Sequence, residues 1–292
     1  MFSGSIVAIV TPMQADGGVD NGALDRLVEF HVEQGTNAIV AVGTTGESPT
    51  LSVEEHIGVV RRIVERARKR IPVIAGTGSN STTEAIEQTE LAKQAGADAC
   101  LSVTPYYNKP TQEGLYQHYK KIAESVAIPL MLYNVPGRTA CDLKPETVER
   151  LAAIPNIVGL KEAPSIERNR ELLSRVGGRL DLFSGDDDLA CESVLMGFQG
   201  VISVTANVAP RQIRAVIDAA LAGRKEEARR LDAALQPLHK AMFVESNPIP
   251  VKWALARMGL IADRIRLPLT PLARPFHGQV LEALQRAGIA FA

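Results

Sequence analysis

The sequence predicts an α/β chain: a (β/α)8 TIM barrel over residues 1–223, followed by a small C-terminal α-helical domain over 224–292. Three observations predict it. Eight short apolar runs recur along the chain, each followed by a turn signal and a helical pattern. The runs are nearly continuous in apolar residues rather than alternating, as parallel strands covered on both faces are. After about Gly223 the strand signals stop and only helical patterns remain.

The runs are SIVAIVTP from Ser5, NAIVAVG from Asn37, PVIAGTG from Pro72, ACLSVTP from Ala99, PLMLYNVP from Pro129, IVGLKEA from Ile157, LDLFSGD from Leu180 and GVISVTAN from Gly200. Between them lies helix punctuation. Ser52 with Glu55 and Ser81 with Glu84 have capping-box spacing. Gly35, Gly96 and Gly177 fall where helices should stop. The structural competitor is an open doubly wound sheet. Against it, no GxGxxG follows the first run, and the strand-helix repeat continues past the usual strand count. The C-terminal helical patterns span 225–243, 250–258 and 271–287.

A chain of 292 residues with 46% hydrophobic and 22% charged residues has material for a large globular core. Its formal net charge of −1 gives no global field for nucleic acid or anionic membranes. The one basic run, 66–70, reads as the end of a helix, where cations complement the dipole. Cys100, Cys141 and Cys191 are too few for a disulfide framework and too widely spaced for a zinc motif, so a cytoplasmic protein is expected. The early IVAIV run has no basic residues before it and leads into Thr11 and Pro12, so it reads as a strand and not a signal peptide.

In a barrel of this kind chemistry sits at the C-terminal strand ends. There the sequence offers Thr44, Thr45, Tyr106, Tyr107, Tyr133, Arg138, Lys161 and the turn of Gly185 and Asp186, with few metal ligands. Lys161 stands inside an apolar run, where burial would press the amine toward its neutral, nucleophilic form. An unperturbed lysine is free base for only about one molecule in 2,500 at pH 7. The other reading of Lys161 is a strand-end lysine that snorkels to solvent or pairs with Glu162. Tyr133 lies at the matching level of the preceding run and is either a proton donor and acceptor or a core tyrosine with its hydroxyl capped. GTTGES from Gly43 offers backbone amides and two hydroxyls to a small carboxylate, or is a plain strand-to-helix connection. Arg138 either clamps a second carboxylate or is merely solvated. Together these groups describe an imine-forming site for a 2-keto acid.

The segments GTTGES, VTPYYNKPTQEG, YNVPGRT, GLKEA, SGDD, GVISVTANVAP and ESNPIPVKWA, in this order and nearly end to end, resemble the dihydrodipicolinate synthase family of pyruvate-dependent class I aldolases. The resemblance implies a lyase of lysine and diaminopimelate biosynthesis in which Lys161 forms an imine with pyruvate and the derived enamine attacks aspartate-4-semialdehyde. It implies that Tyr133, Thr44 and Tyr107 relay protons, with Tyr107 supplied by a neighbouring subunit. Thr45, Ile202 and Gly185 would line the pyruvate pocket, and Arg138 would hold the semialdehyde carboxylate. No metal or organic cofactor is implied, because the protonated imine is itself the electron sink. A homotetramer built as a dimer of dimers is implied, as is feedback inhibition by L-lysine at Ser48, Pro49, His56, Asn80, Glu84 and Tyr106.

Three departures from the family pattern stand out. The usual KEATG reads KEAPS, placing Pro164 and Ser165 just beyond the candidate nucleophile; Pro49 replaces a small residue; and Val53 replaces a polar one. The nearest functional alternative is another pyruvate-dependent aldolase, such as an N-acetylneuraminate lyase or a keto-deoxy-sugar aldolase. The combination of Thr44, Tyr107 and Arg138 favours a short charged aldehyde over a sugar. A non-catalytic lysine sensor would be expected to lack the nucleophile or the relay. A phosphate-binding barrel would need a glycine-rich loop where this chain has the acidic SGDD.

Overall fold

The protein is described by a computed structural model covering residues 2–163 and 165–291. The eight apolar runs become strands β1 (Gly4–Ala8), β2 (Ala38–Ala41), β3 (Val73–Gly76), β4 (Ala99–Val103), β5 (Leu130–Asn134), β6 (Ile157–Glu162), β7 (Asp181–Ser184) and β8 (Gly200–Ser203). They pair in parallel in chain order, and β8 returns to β1 to close the barrel.

Alternation along each strand divides the apolar residues into two cores. Ile6, Ala8, Val40, Ile74, Leu101, Met131, Tyr133, Phe183 and Ile202 fill the barrel interior, with Phe2 packed among them. Val7, Ile39, Ala41, Val73, Ala75, Cys100, Leu132, Leu160, Leu182 and Val201 belong to the outer core beneath the helices. Both faces are therefore dry, which is why the runs read as continuous.

The surrounding helices are α1 (Asn21–Gln34), α2 (Val53–Ala67), α3 (Thr82–Gln94), α4 (Gln112–Ser125), the single turn α5 (Pro136–Thr139), α6 (Pro145–Leu151), α7 (Ile166–Val176), α8 (Ala190–Met196) and α9 (Pro210–Leu221). The predicted caps hold in part. Ser52 and Glu55 form the full reciprocal box at the start of α2. Ser81 accepts from the Glu84 amide, but the Glu84 carboxylate accepts from Ser79 Oγ at 2.8 Å, so only half of the second box forms. Gly35 stops α1 in the left-handed region at φ 78, whereas Gly177 ends α7 at φ −53. The basic run is a structural cross-link, with Arg66 and Arg70 each 2.6 Å from Glu29 on α1.

Beyond the barrel come α10 (Lys225–Ala241), α11 (Ile249–Arg257) and α12 (His277–Arg286). The last is shorter than the predicted 271–287, because a 3₁₀ turn, Arg274–Phe276, occupies the residues before it. This C-terminal region is tied to the barrel through Lys252 and Arg266. Lys252 Nζ donates to Thr11 O at 2.9 Å and pairs with Glu47. The Arg266 guanidinium donates to Thr50 O at 2.7 Å and to both Glu55 oxygens at 2.8 and 2.5 Å. Among the described residues no helix is long and apolar enough to cross a membrane.

Barrel closure depends on one small residue. A Cβ at Gly200 would lie 2.0 Å from Gly4 O, a backbone atom of the facing strand. Gly200→Ala should therefore destabilise the protein by about 3 kcal/mol, the upper part of the range for overpacking. A urea unfolding midpoint equal to that of the wild type would refute the close approach.

Candidate active site

Lys161 lies on β6 with its α-carbon paired to Tyr133 on one side and Phe183 on the other. It has the same parity as the interior residues, so the strand that carries it also points it into the barrel. Glu162, next along, goes the opposite way and accepts from Asn134 Nδ2 at 3.0 Å and from the Ala163 amide at 3.1 Å. Burial pushes the Glu162 carboxyl up to about 8. It is therefore not the counter-ion of Lys161, and the pairing open from sequence does not form.

Lys161 is only 5% exposed, and its Nζ sits 4.3 Å from the centroid of the Tyr133 ring. Burial brings the Lys161 pKa down to about 8, against the opposing pull of the Asp186 and Asp187 carboxylates; the Arg138 cation adds to the lowering. Desolvation is the largest of these effects. Space for the side chain comes from Gly185 at the end of β7, where a Cβ would stand 3.1 Å from Lys161 Cε and 3.2 Å from Glu162 O. Ile202 on β8 is fully buried in the same interior set.

Tyr133 is 8% exposed, and burial pushes its phenol up to about 12, with Arg138 and a hydrogen bond to Thr44 opposing. Thr44 thus reaches from the turn after β2 to the phenol beside the lysine. Thr45 is buried, and its Oγ1 accepts from Asn247 Nδ2 at 3.0 Å. The Arg138 guanidinium donates to Asn247 O at 3.3 Å. Asn247 therefore links Thr45 and Arg138, and its own Oδ1 is buried with no partner among the described residues.

The structure brings Lys161, Tyr133, Thr44, Gly185 and Arg138 into electrostatic or steric contact and links Thr45 to Arg138 through Asn247. It does not bring Tyr107 there from its own chain. Tyr107 is 89% exposed and has a left-handed backbone at φ 74, with its amide 3.4 Å from Thr139 O. The left-handed region is unfavourable to residues with a Cβ, so this backbone is one that the surrounding loop has to hold.

Of the six residues of the candidate lysine site, Ser48, Pro49, Asn80 and Tyr106 lie in the connections after β2, β3 and β4, and His56 and Glu84 in the first turns of α2 and α3. Ser48 and Pro49 open a 3₁₀ turn. His56 Nε2 donates to Gly76 O at 2.7 Å, and burial lowers the imidazole pKa. Asn80 Nδ2 donates to Tyr106 O at 3.1 Å, Tyr106 is 42% exposed, and Glu84 holds Ser79. Pro164, one of the departures, lies outside the described residues; Ser165 beside it is the N-cap of α7, accepting from the Arg168 amide at 3.2 Å.

Residue-level reading missed Asn247, Glu47, Lys252 and Asp187. Asp187 accepts from Ser203 Oγ and from the amides of Val204 and Thr205 at 2.9 Å, fixing the end of β8. All four stand inside segments that carried the resemblance, but their partners are 16 to 205 residues away.

Comparison with known proteins agrees with the geometry. The description "Dihydrodipicolinate synthetase family" matches residues 1–287. The 4-hydroxy-tetrahydrodipicolinate synthase of Stutzerimonas stutzeri strain A1501 is 61% identical over 290 residues, covering 99% of both chains. The crystal structure of a chloride-inhibited dihydrodipicolinate synthase from Acinetobacter baumannii, complexed with pyruvate, superposes with a TM-score of 0.98 at 58% identity, covering 99% of this chain and 100% of that one. A dihydrodipicolinate synthase from Cyanidioschyzon merolae with lysine bound gives a TM-score of 0.96 at 39% identity, covering 99% of each chain. A closed barrel with a buried lysine, a family match over almost the whole chain and relatives at this identity lead to one conclusion: the chain belongs to the dihydrodipicolinate synthetase family.

Proposed function

We propose that this protein condenses pyruvate with L-aspartate-4-semialdehyde through an imine on Lys161, giving 4-hydroxy-tetrahydrodipicolinate. The observation that carries this reading is the buried Lys161 amine, with a pKa of about 8, against the Tyr133 ring. The names of the relatives and the pyruvate in the Acinetobacter structure support the substrate pair. They give the sugar aldolases no comparable support.

The chemistry follows from the groups present. The neutral amine attacks the ketone carbon, and the carbinolamine loses water to give a protonated imine. Tyr133, whose pKa near 12 keeps it protonated, donates to the departing hydroxyl and is reprotonated through Thr44. Loss of a methyl proton gives the enamine, whose carbon attacks the aldehyde. The semialdehyde's amine then adds to the imine carbon and expels Lys161 unchanged. Thr45, Gly185 and Ile202 line the pyruvate pocket, and Arg138 takes the second carboxylate. The reaction as drawn needs no metal or organic cofactor, because the protonated imine accepts the electrons.

The barrel over residues 1–223 carries the chemistry, and 224–292 forms an appended helical domain. Tyr107 completes the relay of a neighbouring subunit, which accounts for its exposure, and the active assembly is a homotetramer of two such dimers. L-Lysine inhibits by binding Ser48, Pro49, His56, Asn80, Glu84 and Tyr106, a reading supported by the lysine-bound algal relative. Three free cysteines, all buried, suit the reducing cytoplasm.

Borohydride added with pyruvate should trap one covalent adduct on Lys161, seen by peptide mass spectrometry; an unmodified Lys161 would sink the imine mechanism. Turnover should follow aspartate-4-semialdehyde and be absent with N-acetylmannosamine. The trapping rate should climb roughly tenfold per pH unit from pH 6 and level off above about 8, as the amine loses its proton. A profile still rising at pH 10 would mean an unperturbed lysine.

The same depressed pKa makes a stability prediction. Between pH 8 and 10.5 the unfolded lysine holds a proton that the folded one does not, so Lys161 costs stability below pH 8 and the cost fades as pH rises. Lys161→Met should be inactive yet about 1 kcal/mol or more stabler at pH 7, with the gain gone by pH 10 to 11. Equal unfolding midpoints at pH 7 would contradict it. For regulation, L-lysine titrated into the assay should lower the rate, and Glu84→Ala should weaken that inhibition on the order of tenfold. A rate indifferent to lysine would remove the regulatory reading alone.

A further inference from the structure

The turn after β2 is built in an unfavourable backbone. Val42 at φ 52 and Glu47 at φ 59 both lie in the left-handed region, and neither is glycine. Gly46 between them has no room for a side chain, since a Cβ there would stand 2.9 Å from Val42 Cα. Left to itself such a segment would relax toward ordinary backbone angles, carrying Thr44 and Thr45 with it.

What opposes relaxation comes largely from the far end of the chain. Glu47 is 2% exposed, pairs through Oε1 with the 3% exposed Lys252 of α11, and accepts the Arg266 amide on Oε2 at 3.0 Å. Lys252 spends a second donor on Thr11 O at 2.9 Å, while Thr11 Oγ1 donates to Gly46 O at 2.7 Å. Five residues before Lys252, Asn247 holds Thr45 Oγ1. The turn is thus gripped at Thr45, Gly46 and Glu47. Neither member of the ion pair touches the reacting atoms, and the imine mechanism makes no use of either. A buried pair is poor evidence of stability, because desolvation cancels most of its attraction. Its fixed geometry is better evidence of a positional role.

We propose that Glu47 and Lys252 are a positioning pair that fixes the Thr44 and Thr45 turn against Lys161, so that the C-terminal helical region sets the pyruvate-binding geometry of the barrel. This rests on the imine reading above. Glu47 anchors the turn from within, and Lys252 fixes Glu47 to α11. Loss of the pair lets Thr44 and Thr45 move away from where the carboxylate and the Tyr133 phenol need them, while Lys161 keeps its place on β6.

The test uses the full-length chain, with pyruvate as the probe and borohydride as the trap. Glu47→Gln keeps the shape but removes the charge, and Glu47→Leu combined with Lys252→Met replaces the pair with apolar groups, an exchange often neutral in stability. Unfolding midpoint, pyruvate KM, kcat and the trapped adduct at saturating pyruvate are measured for each. The expected result is a pyruvate KM raised on the order of tenfold with the adduct at saturation retained, the midpoint unchanged in the double variant and lowered in Glu47→Gln, which leaves the Lys252 ammonium buried without its partner. A wild-type KM in the folded variants overturns the inference. So does a KM rise seen only in a variant whose midpoint has fallen. If the double variant does not fold, Glu47→Gln combined with Lys252→Met, which leaves neither charge unpaired, decides in its place. A wild-type chain that traps no pyruvate is a separate failure: it sinks the imine reading, is visible before any variant is made, and takes this inference with it.

Discussion

A primary amine inside an apolar ring is the constraint around which the rest of this site is arranged. β6 fixes Lys161 by parity: one residue earlier or later and the side chain would leave the barrel interior for the helix layer. Once inside, the amine needs volume, which Gly185 leaves open, and neighbours that tolerate a charge that comes and goes. Asp186 and Asp187 favour the charged form, Arg138 opposes it, and burial outweighs the carboxylates. The change from 10.5 to about 8 corresponds to about 3 kcal/mol, comparable with burying a sizeable apolar side chain. The fold therefore bears a cost at Lys161 that packing elsewhere has to cover.

Part of that cover comes from outside the barrel. Asn247, Lys252 and Arg266 all belong to the C-terminal region, and all act on the turn after β2 or the helix that follows it. A barrel ring can supply strand ends with defined parity, but its loops are free to relax unless something holds them. The C-terminal region is well placed to do so because α10 packs against α9 and α8, while Asn247 and Lys252 meet Thr45, Thr11 and Glu47.

Much of the fold was legible because the strands are short, dry on both faces and separated by capped helices. Each of the eight runs became a strand, and the parity that pairs Tyr133 with Lys161 could be read from their matching levels. Gly35 and Ser52 were legible for a local reason: left-handed closure and a reciprocal cap each involve residues a few positions apart. Ser81 and Glu84 show the limit, since the spacing was right but Ser79 captured the carboxylate. Lys161 was ambiguous in sequence because an apolar run says that a lysine is buried but not which neighbour meets it. Glu162 was the obvious partner, and alternation sends it to the other face. The Glu47/Lys252 pair was illegible for the opposite reason. Both residues are polar and sit in ordinary positions, and nothing local says that 205 residues apart they meet in a dry interior.

Lys161 and Tyr133, the two buried titratable groups that face each other on β6 and β5, are shifted in opposite directions by the same cause. Burial favours whichever form is uncharged, so it lowers the pKa of the Lys161 ammonium to about 8 and raises that of the Tyr133 phenol to about 12. A nucleophilic amine and a proton-bearing phenol are the forms that imine formation needs at its first step, and one apolar environment supplies both. The Nζ over the aromatic face adds a cation–π attraction for the moments when the amine is charged, which keeps the two groups in register across the protonation change. Thr44 has a different duty. Its hydrogen bond joins the Arg138 cation in opposing the rise at Tyr133, though burial still holds the phenol at about 12. Under the imine reading the placement of Thr44 is therefore part of the site's chemistry, and Thr44 sits in a turn that is held from the other end of the chain.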